Sequence, residues 1–147
     1  MSAVALLYVN MLVALFDPDH VHHEPAHRWF EVQRPSGWAT SPLTDNGLVR
    51  VASNPGYAPR AERPAQIVWR LRAFCGSGEH RFWPDLLSIR DLQQFSPTLP
   101  IASRQLTDVY LLALAKHHGG RLATFDRSIP WRAVSGTSAD DLELLSA

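Results

Sequence analysis

Residues 104–126 constrain the fold more than any other part of this sequence. Apolar residues recur at helical spacing over residues 106–116, and Gly119 and Gly120 follow them, where a left-handed turn can end the helix. The next five residues, 121–125, are too few and too apolar for anything but a buried strand. The segment therefore predicts a helix, a tight turn and a strand, which are the parts of a parallel α/β sheet.

Each half of this segment carries one aspartate. Asp108 lies in the first turns of the predicted helix, and Asp126 follows the end of the predicted strand. A helix packed on a parallel sheet runs back against its strands and so begins at their carboxyl edge, where such sheets bind their ligands. Both carboxylates are therefore predicted at the same edge of the sheet.

Strands and helices alternate along the rest of the chain. Apolar runs predict strands at 4–8, 38–40, 81–83, 121–125 and, at the edge, 131–134; helical patterns are found at 11–16, 25–34, from 42 onward, 61–75, 85–95 and 106–116, with a loop at 97–100. Asn10 is the predicted N-cap of the first helix, and Ser41 with Pro42 marks the start of the third. This alternation predicts a three-layer α/β/α fold with a short central parallel sheet, in a single domain spanning residues 1–147.

Charge and cysteine usage limit the class of protein. The chain has 14 basic and 14 acidic residues, so no global positive field attracts nucleic acid, and an RNA site has to be a local patch. Cys75 is the single cysteine, which excludes a disulfide within the chain. The first residues lack a basic region and a long apolar span, so we expect a cytoplasmic protein without a membrane segment.

Three aspartates, Asp45, Asp108 and Asp126, come from different elements that this topology brings to one sheet edge. Carboxylates crowded together without basic partners repel, so they raise one another's pKa or take up a hard divalent cation such as Mg²⁺ or Mn²⁺. A cation in such a site suits phosphodiester hydrolysis. The alternative is that these residues are surface aspartates favoured by helix dipoles, and spacing alone does not separate the two interpretations.

Four segments, residues 6–15, 41–51, 106–115 and 122–127, resemble in order the motifs of PIN-domain nucleases, and most of all the VapC toxins of bacterial toxin–antitoxin pairs. The resemblance covers nearly the whole chain. It implies a magnesium-dependent endoribonuclease toxin of a type II pair, usually a homodimer, that cleaves structured RNA such as tRNA or rRNA and is inhibited by a VapB-type antitoxin. Asp45, Asp108 and Asp126 match three of the family's four acidic positions, with Thr124 and Asn10 as supporting polar groups.

Two positions depart from this family pattern. Asp45 stands where the family commonly has glutamate, so it reaches one methylene less and is expected to act through water. Tyr8 occupies the position of the first metal-ligating aspartate, and a neutral phenol is a poor ligand for Mg²⁺. We expect its hydroxyl to donate a hydrogen bond to Asp108 or Asp126. We therefore expect the nuclease activity of this chain to be weakened or lost. The alternative is a catalytically dead module that binds RNA or sequesters the antitoxin.

Other sequence features are less specific. Arg50 is a candidate RNA contact, although a solvated helix face explains it equally well. The sequence has more apolar and aromatic side chains than one small core readily buries, among them Trp29, Trp69 and Trp83. This excess predicts that the chain self-associates and binds a partner peptide across the cleft. Residues 23–27 match the H-E-x-x-H zinc pattern, but Pro25 is expected to begin the helix and leave the first histidine outside it.

Overall fold

The computed structural model describes residues 3–58, 61–96 and 101–146. Within them, five short strands form one sheet: β1 (Ala5–Leu7), β2 (Trp38–Thr40), β3 (His80–Phe82), β4 (Arg121–Thr124) and β5 (Leu142–Leu144). The strand order is β3-β2-β1-β4-β5, and every pairing is parallel. The main helices are α1 (Val9–Phe16), α2 (His23–Gln33), α3 (Pro42–Ala52), α4 (Pro64–Cys75) and α5 (Leu106–His117). None of the described helices is long and apolar enough to span a membrane.

The central strand β1 divides the core into two halves. Ala5 and Leu7 belong to a buried cluster with residues of α1, α2, α3 and α4, whereas Leu6 belongs to a second cluster dominated by α5. Successive side chains of a strand point to opposite faces of the sheet, so this alternation requires helices on both faces. The predicted three-layer α/β/α fold is confirmed.

Three connections bring polar side chains to the carboxyl edge of the sheet. α1 begins directly after β1, α3 begins directly after β2, and α5 runs back against the sheet before β4. The strand order reverses at β1, which lies between β2 and β4, and a crevice opens at such a reversal. This crevice is therefore surrounded by the residues that follow β1 and β4 and by those that begin α5.

The start of α3 follows the sequence prediction. The Ser41 hydroxyl accepts a hydrogen bond from the Thr44 backbone, while the Thr44 side chain accepts one from the Ser41 N–H at 2.8 Å. The prediction that Asn10 caps α1 is wrong: the extended residue Tyr8 precedes the helix, and Asn10 is its second residue. The Asn10 amide is directed to β4 and bonds Thr124 instead.

The predicted helix at 85–95 is absent, and turns replace it. Ser88 and Asp91 accept hydrogen bonds through their side chains from the backbone N–H groups of Arg90 and Gln93, two residues later in each case. Such local bonds compete with the helical ladder, which explains why a suitable apolar pattern did not form a helix here.

The predicted edge strand at 131–134 is also wrong. Trp131–Ala133 forms a 3₁₀ turn, and the Thr137 hydroxyl donates to the carbonyl of Val134 at 2.7 Å. The edge strand is instead β5, whose Leu-Glu-Leu sequence is too short to show a strand period. The predicted loop at 97–100 lies outside the described residues.

The helix α2 begins at His23, earlier than predicted. Pro25 is its third residue, where the missing N–H removes no helical hydrogen bond. Nδ1 of His23 lies 2.7 Å from the carbonyl oxygen of Ala14, and Nε2 of His27 lies 3.3 Å from that of Leu15. Both histidines therefore tie α2 to the last turn of α1.

Candidate active site

Tyr8 lies directly after β1, and its ring points across the sheet edge to α5. Its N–H donates to the carbonyl of Ala123 at 3.0 Å, and its hydroxyl donates to Oδ1 of Asp108. The hydrogen bond expected from the sequence is therefore present. Burial raises the pKa of Tyr8 well above its usual value, and the hydrogen bond to Asp108 and the charges of Asp108 and Asp126 add to the rise. The phenol is consequently a permanent neutral donor near pH 7.

Asp108 is buried in the first turn of α5, with only 5% of its surface exposed. Burial raises the pKa of this carboxyl, the Tyr8 hydroxyl lowers it, and the nearby charge of Asp126 raises it again. The two carboxylates thus lie within electrostatic reach of each other, and Tyr8 is a neutral group within reach of both.

Asn10 and Thr124 fix the turn that carries Asp126. Nδ2 of Asn10 donates to Oγ1 of Thr124 at 3.1 Å, and the same oxygen accepts the N–H of Asp126 at 3.0 Å. Oδ1 of Asp126 accepts two hydrogen bonds from Ser128, one from its N–H at 2.8 Å and one from its hydroxyl at 2.7 Å. Asn10 and Thr124 therefore position Asp126 through the backbone, and one oxygen of this carboxylate is already engaged.

Asp45 does not join the other two aspartates. The α3 residues that line the cleft beside Tyr8 are Leu43, Asn46, Gly47, Arg50 and Val51. Each residue turns a helix by about 100°, so position 45 points to the opposite side of α3. There the Asp45 carboxyl interacts with Thr40 and Asp85. Among the described residues no group of three or more His, Cys, Asp or Glu side chains could hold a metal ion, so the predicted convergence of three carboxylates is wrong.

A cleft of about 570 Å³ opens at this edge of the sheet. Its polar lining contains no acidic residue; it consists of Tyr8, Asn10, His20, Asn46, Arg50, Tyr57, Arg104 and Thr107. Tyr8 forms part of the wall, whereas Asp108 and Asp126 are not among the lining residues. The Tyr8 side chain therefore stands between the cleft and the carboxylate that it binds.

Two of the basic lining residues were not predicted. Arg104 lies in a 3₁₀ turn, Ser103–Gln105, and its position four residues before Asp108 is a signal that the sequence contained. His20 lies in the connection between α1 and α2, and nothing in its sequence context indicated that the connection folds back onto the cleft.

The comparison with known proteins agrees with this architecture. Residues 9–135 match the model of the PIN domain. This chain belongs to the PIN domain family. Ribonuclease VapC44 of Mycobacterium tuberculosis H37Rv is 43% identical over 141 residues, which cover 96% of this chain and 99% of the relative. Ribonuclease VapC39 of the same strain is 40% identical over 132 residues, 90% of this chain and 95% of the relative. Within the PIN family the chain thus groups with the VapC ribonucleases.

Two solved structures share the fold at low sequence identity. One is M. tuberculosis VapC20, described as a sarcin-ricin loop cleaving toxin, with a TM-score of 0.60, 13% identity and coverage of 90% of this chain and 98% of that chain. The other is VapBC2 of Rickettsia felis bound to a promoter DNA fragment, with a TM-score of 0.57, 14% identity and coverage of 97% and 99%. Both confirm the α/β fold of this PIN domain.

The side chains of this PIN domain fit a bound Mg²⁺ or Mn²⁺ poorly, because among the described residues no three His, Cys, Asp or Glu side chains come together. Such an ion takes near-octahedral oxygen ligands and usually one or two available carboxylates. Here Oδ1 of Asp108 accepts the Tyr8 hydroxyl, and Oδ1 of Asp126 accepts two bonds from Ser128. Tyr8 itself supplies no negative charge. The site therefore lacks the expected ligand at position 8, and the hydrogen bond from Tyr8 also occupies one oxygen of Asp108.

The surroundings of Asp45 predict a stabilising substitution. Burial raises its pKa, Thr40 lowers it, the charge of Asp85 raises it, and Oδ1 of Asp45 is buried without a hydrogen-bond partner. Because the folded-state pKa lies above the unfolded value, stability falls as pH rises between the two values. Asp45→Asn should therefore raise the free energy of unfolding by on the order of 1 kcal/mol at pH 7.

Urea denaturation at two pH values measures this effect. The advantage of Asp45→Asn should vanish near pH 3.5, below the unfolded pKa of about 3.9. Asp140→Asn, which removes the same charge from an exposed residue, is the matched control. Equal stability of the Asp45→Asn variant and the parent at pH 7 would contradict the expected penalty.

Proposed function

We propose that this chain is an endoribonuclease toxin of a type II toxin–antitoxin pair whose cutting activity is blocked by Tyr8. The relationship to nuclease toxins is supported by VapC ribonucleases that match this chain at 40–43% identity over nearly their full lengths. The block is supported by one observation, the hydrogen bond from the Tyr8 hydroxyl to Asp108. In the form with aspartate at position 8 we propose dependence on Mg²⁺ or Mn²⁺, with Asp108 and Asp126 as ligands.

The cleft beside Tyr8 is the proposed site for RNA. Arg50 and Arg104 line it, and no acidic residue among its lining offsets their charge. A phosphodiester backbone is attracted to such a surface. Asn10 and Thr124 then act as positioning groups for Asp126 rather than as contacts to the substrate. Structured RNA such as tRNA or rRNA is the proposed substrate class, which would place the activity in the cytoplasm.

The second candidate is a catalytically dead module that binds RNA or sequesters the antitoxin. Tyr8 favours it, because a neutral phenol bonded to Asp108 removes a metal ligand, while Arg50 and Arg104 still line the cleft. The two candidates share one binding surface and differ in residual cleavage.

A VapB-type antitoxin is the proposed protein partner, and a second cavity suits one of its segments. This cavity, of about 510 Å³, meets the cleft at Val13 and Tyr57, which line both. Its wall is largely apolar and carries Asp17 and Asp19 as well as Glu62, which is paired with Arg70 of the same wall. An amphipathic segment with basic residues complements that wall.

We also propose a homodimer, supported by the exposed face of α4, where Trp69 is 68% exposed beside Val68. Trp83, which was expected to contribute, is buried in the core with 8% exposure. Light scattering on the purified chain tests this assembly.

RNA binding without cleavage is the expected behaviour of the protein as it exists. Fluorescence anisotropy with a fluorescein-labelled RNA hairpin measures binding, and gel electrophoresis of the same samples measures cutting. Arg50→Glu and Arg104→Glu should each weaken binding about tenfold at moderate salt, because each reverses a charge beside the phosphates. Arg28→Glu reverses an exposed charge on α2 and serves as the control. No binding by the parent, or equal effects of all three variants, would contradict the proposed RNA site.

A further inference from the structure

His20 is a lining residue of the cleft that the proposed nuclease chemistry does not use. It is partly buried and lies in the connection between α1 and α2, and it lines the cleft together with Tyr8 and Asn10. The connection is part of a histidine-rich stretch that includes His22, His23 and His27. His23 and His27 bond carbonyls of α1, so they are occupied within the fold.

The backbone fixes which nitrogen of the His20 ring carries hydrogen. The N–H of His22 donates to Nδ1 of His20 at 3.0 Å. A ring nitrogen that accepts a hydrogen bond carries no proton, so the hydrogen of a neutral imidazole is on Nε2. Burial lowers the pKa of His20, the charges of His22 and His23 act in the same direction, and Asp17 opposes them. His20 therefore presents a neutral ring with a single N–H.

The connection that holds this ring is well anchored. The N–H of His20 donates to the carbonyl of Asp17 at 3.0 Å, and the carboxylate of Asp17 accepts the Tyr57 hydroxyl at 2.6 Å. The next ring along, His22, stacks on Phe125 with centroids 4.6 Å apart. Phe125 directly precedes Asp126, so the position of His20 is linked to the turn that carries the candidate acid.

Among the described residues, none accepts a hydrogen bond from Nε2 of His20, and the lining of the cleft contains no carboxylate. Arg50 and Arg104 draw an anionic chain into the same space. From this arrangement we infer that His20 contacts the substrate directly, donating its Nε2–H to a phosphodiester oxygen of RNA in the cleft. The inference rests on the proposed function, because it takes RNA as the occupant.

This contact differs in kind from those of the arginines. A guanidinium on a flexible stem follows the phosphate charge over several positions, whereas the His20 ring is fixed at Nδ1 and offers one donor in one direction. It therefore sets the register of the RNA backbone relative to Asp126. A hydrogen bond to a charged oxygen of this kind changes affinity by about tenfold or more.

Two near-isosteric variants separate the two nitrogens. His20→Asn places an amide oxygen near the position of Nδ1, so it keeps the acceptor for His22 and loses the donor in the cleft. His20→Gln extends an amide NH₂ toward the position of Nε2, so it keeps the donor and loses the acceptor. A purely structural role for His20 would make the Gln variant the weaker one, and substrate contact would make the Asn variant the weaker one.

The experiment measures binding of the fluorescein-labelled RNA hairpin to both variants by anisotropy, with melting temperature recorded for each. We expect His20→Asn to weaken binding about tenfold with little change in melting temperature, and His20→Gln to stay within about threefold of the parent. His117→Asn, on the exposed end of α5, is the matched control. Equal binding by parent and Asn variant, or greater loss in the Gln variant, would overturn the inference while parental binding still supports the RNA site.

If the unsubstituted protein does not bind the hairpin, the proposed function itself fails. A second measurement, which needs no RNA, then tests His20 separately. A histidine side-chain ¹H–¹⁵N correlation spectrum of the free protein assigns the tautomer of His20 directly. The Nε2–H form is expected, and addition of inorganic phosphate should shift its signal selectively relative to that of His117. An Nδ1–H form, or no selective shift, overturns the inference on its own.

Discussion

Replacement of Tyr8 by aspartate is expected to raise RNA cleavage by at least about two orders of magnitude in the presence of Mg²⁺. The change removes a partly buried neutral phenol, releases Oδ1 of Asp108 and adds a carboxylate within electrostatic reach of Asp108 and Asp126. The site gains charge and an available ligand in the same step. Cleavage of an RNA hairpin measured with and without Mg²⁺, and growth of a host that lacks the antitoxin, report the effect.

Two controls identify the source of the gain. Tyr8→Phe removes the hydroxyl that bonds Asp108 but adds no carboxylate, so it should remain inactive. Combining Tyr8→Asp with Asp108→Asn should return cleavage to the level of the parent. If the parent already cuts RNA as fast as the Tyr8→Asp variant, position 8 is not a ligand in this chain and the proposed block is wrong.

Gly120→Ala is expected to lower the free energy of unfolding by roughly 3 kcal/mol or more. A methyl group on Gly120 would lie 2.4 Å from the backbone oxygen of Val4 and 2.6 Å from the ring of Trp83. The first neighbour belongs to the chain just before the central strand, and the second is buried in the core, so neither can move without disturbing the sheet. Urea denaturation followed by tryptophan fluorescence measures the loss.

The neighbouring glycine provides the matched control. Gly119 adopts a φ of +74° at the end of α5, and apart from its chain neighbours no described residue has an atom within 4 Å of an added methyl group. Gly119→Ala therefore introduces backbone strain alone, with an expected loss of about 1–2 kcal/mol. Two adjacent glycines are thus required for different reasons, one conformational and one steric. Equal losses for the two variants would contradict the steric role of Gly120.

The sequence predicted those parts of the fold that local physics determines. The helix, glycine stop and strand of residues 106–124 and the cap at Ser41 formed as expected, because each has its signal within a few residues. The segment 85–95 failed for the same local reason, since side-chain bonds to nearby backbone groups outweighed its apolar pattern. The edge strand β5 carried no pattern of its own and depends on its pairing with β4.

The candidate site was predictable where topology alone positions a residue. Tyr8 follows β1 and Asp108 begins α5, so their contact follows from a parallel sheet. Asp45 failed because a helix start brings a residue to the correct edge without fixing its direction around the helix axis. His20 was missed because its place depends on how an irregular connection folds, which no periodicity encodes.

The hydrogen bond between Tyr8 and Asp108 also has a genetic consequence. It gives the buried carboxyl of Asp108 a partner, so the tyrosine leaves no unpaired acid at this position to destabilise the fold. Codons for tyrosine and aspartate differ by a single base. If the proposed function holds, one point mutation would turn an inactive protein into a toxin for the cell that encodes it, and that cell would survive only while the antitoxin is present.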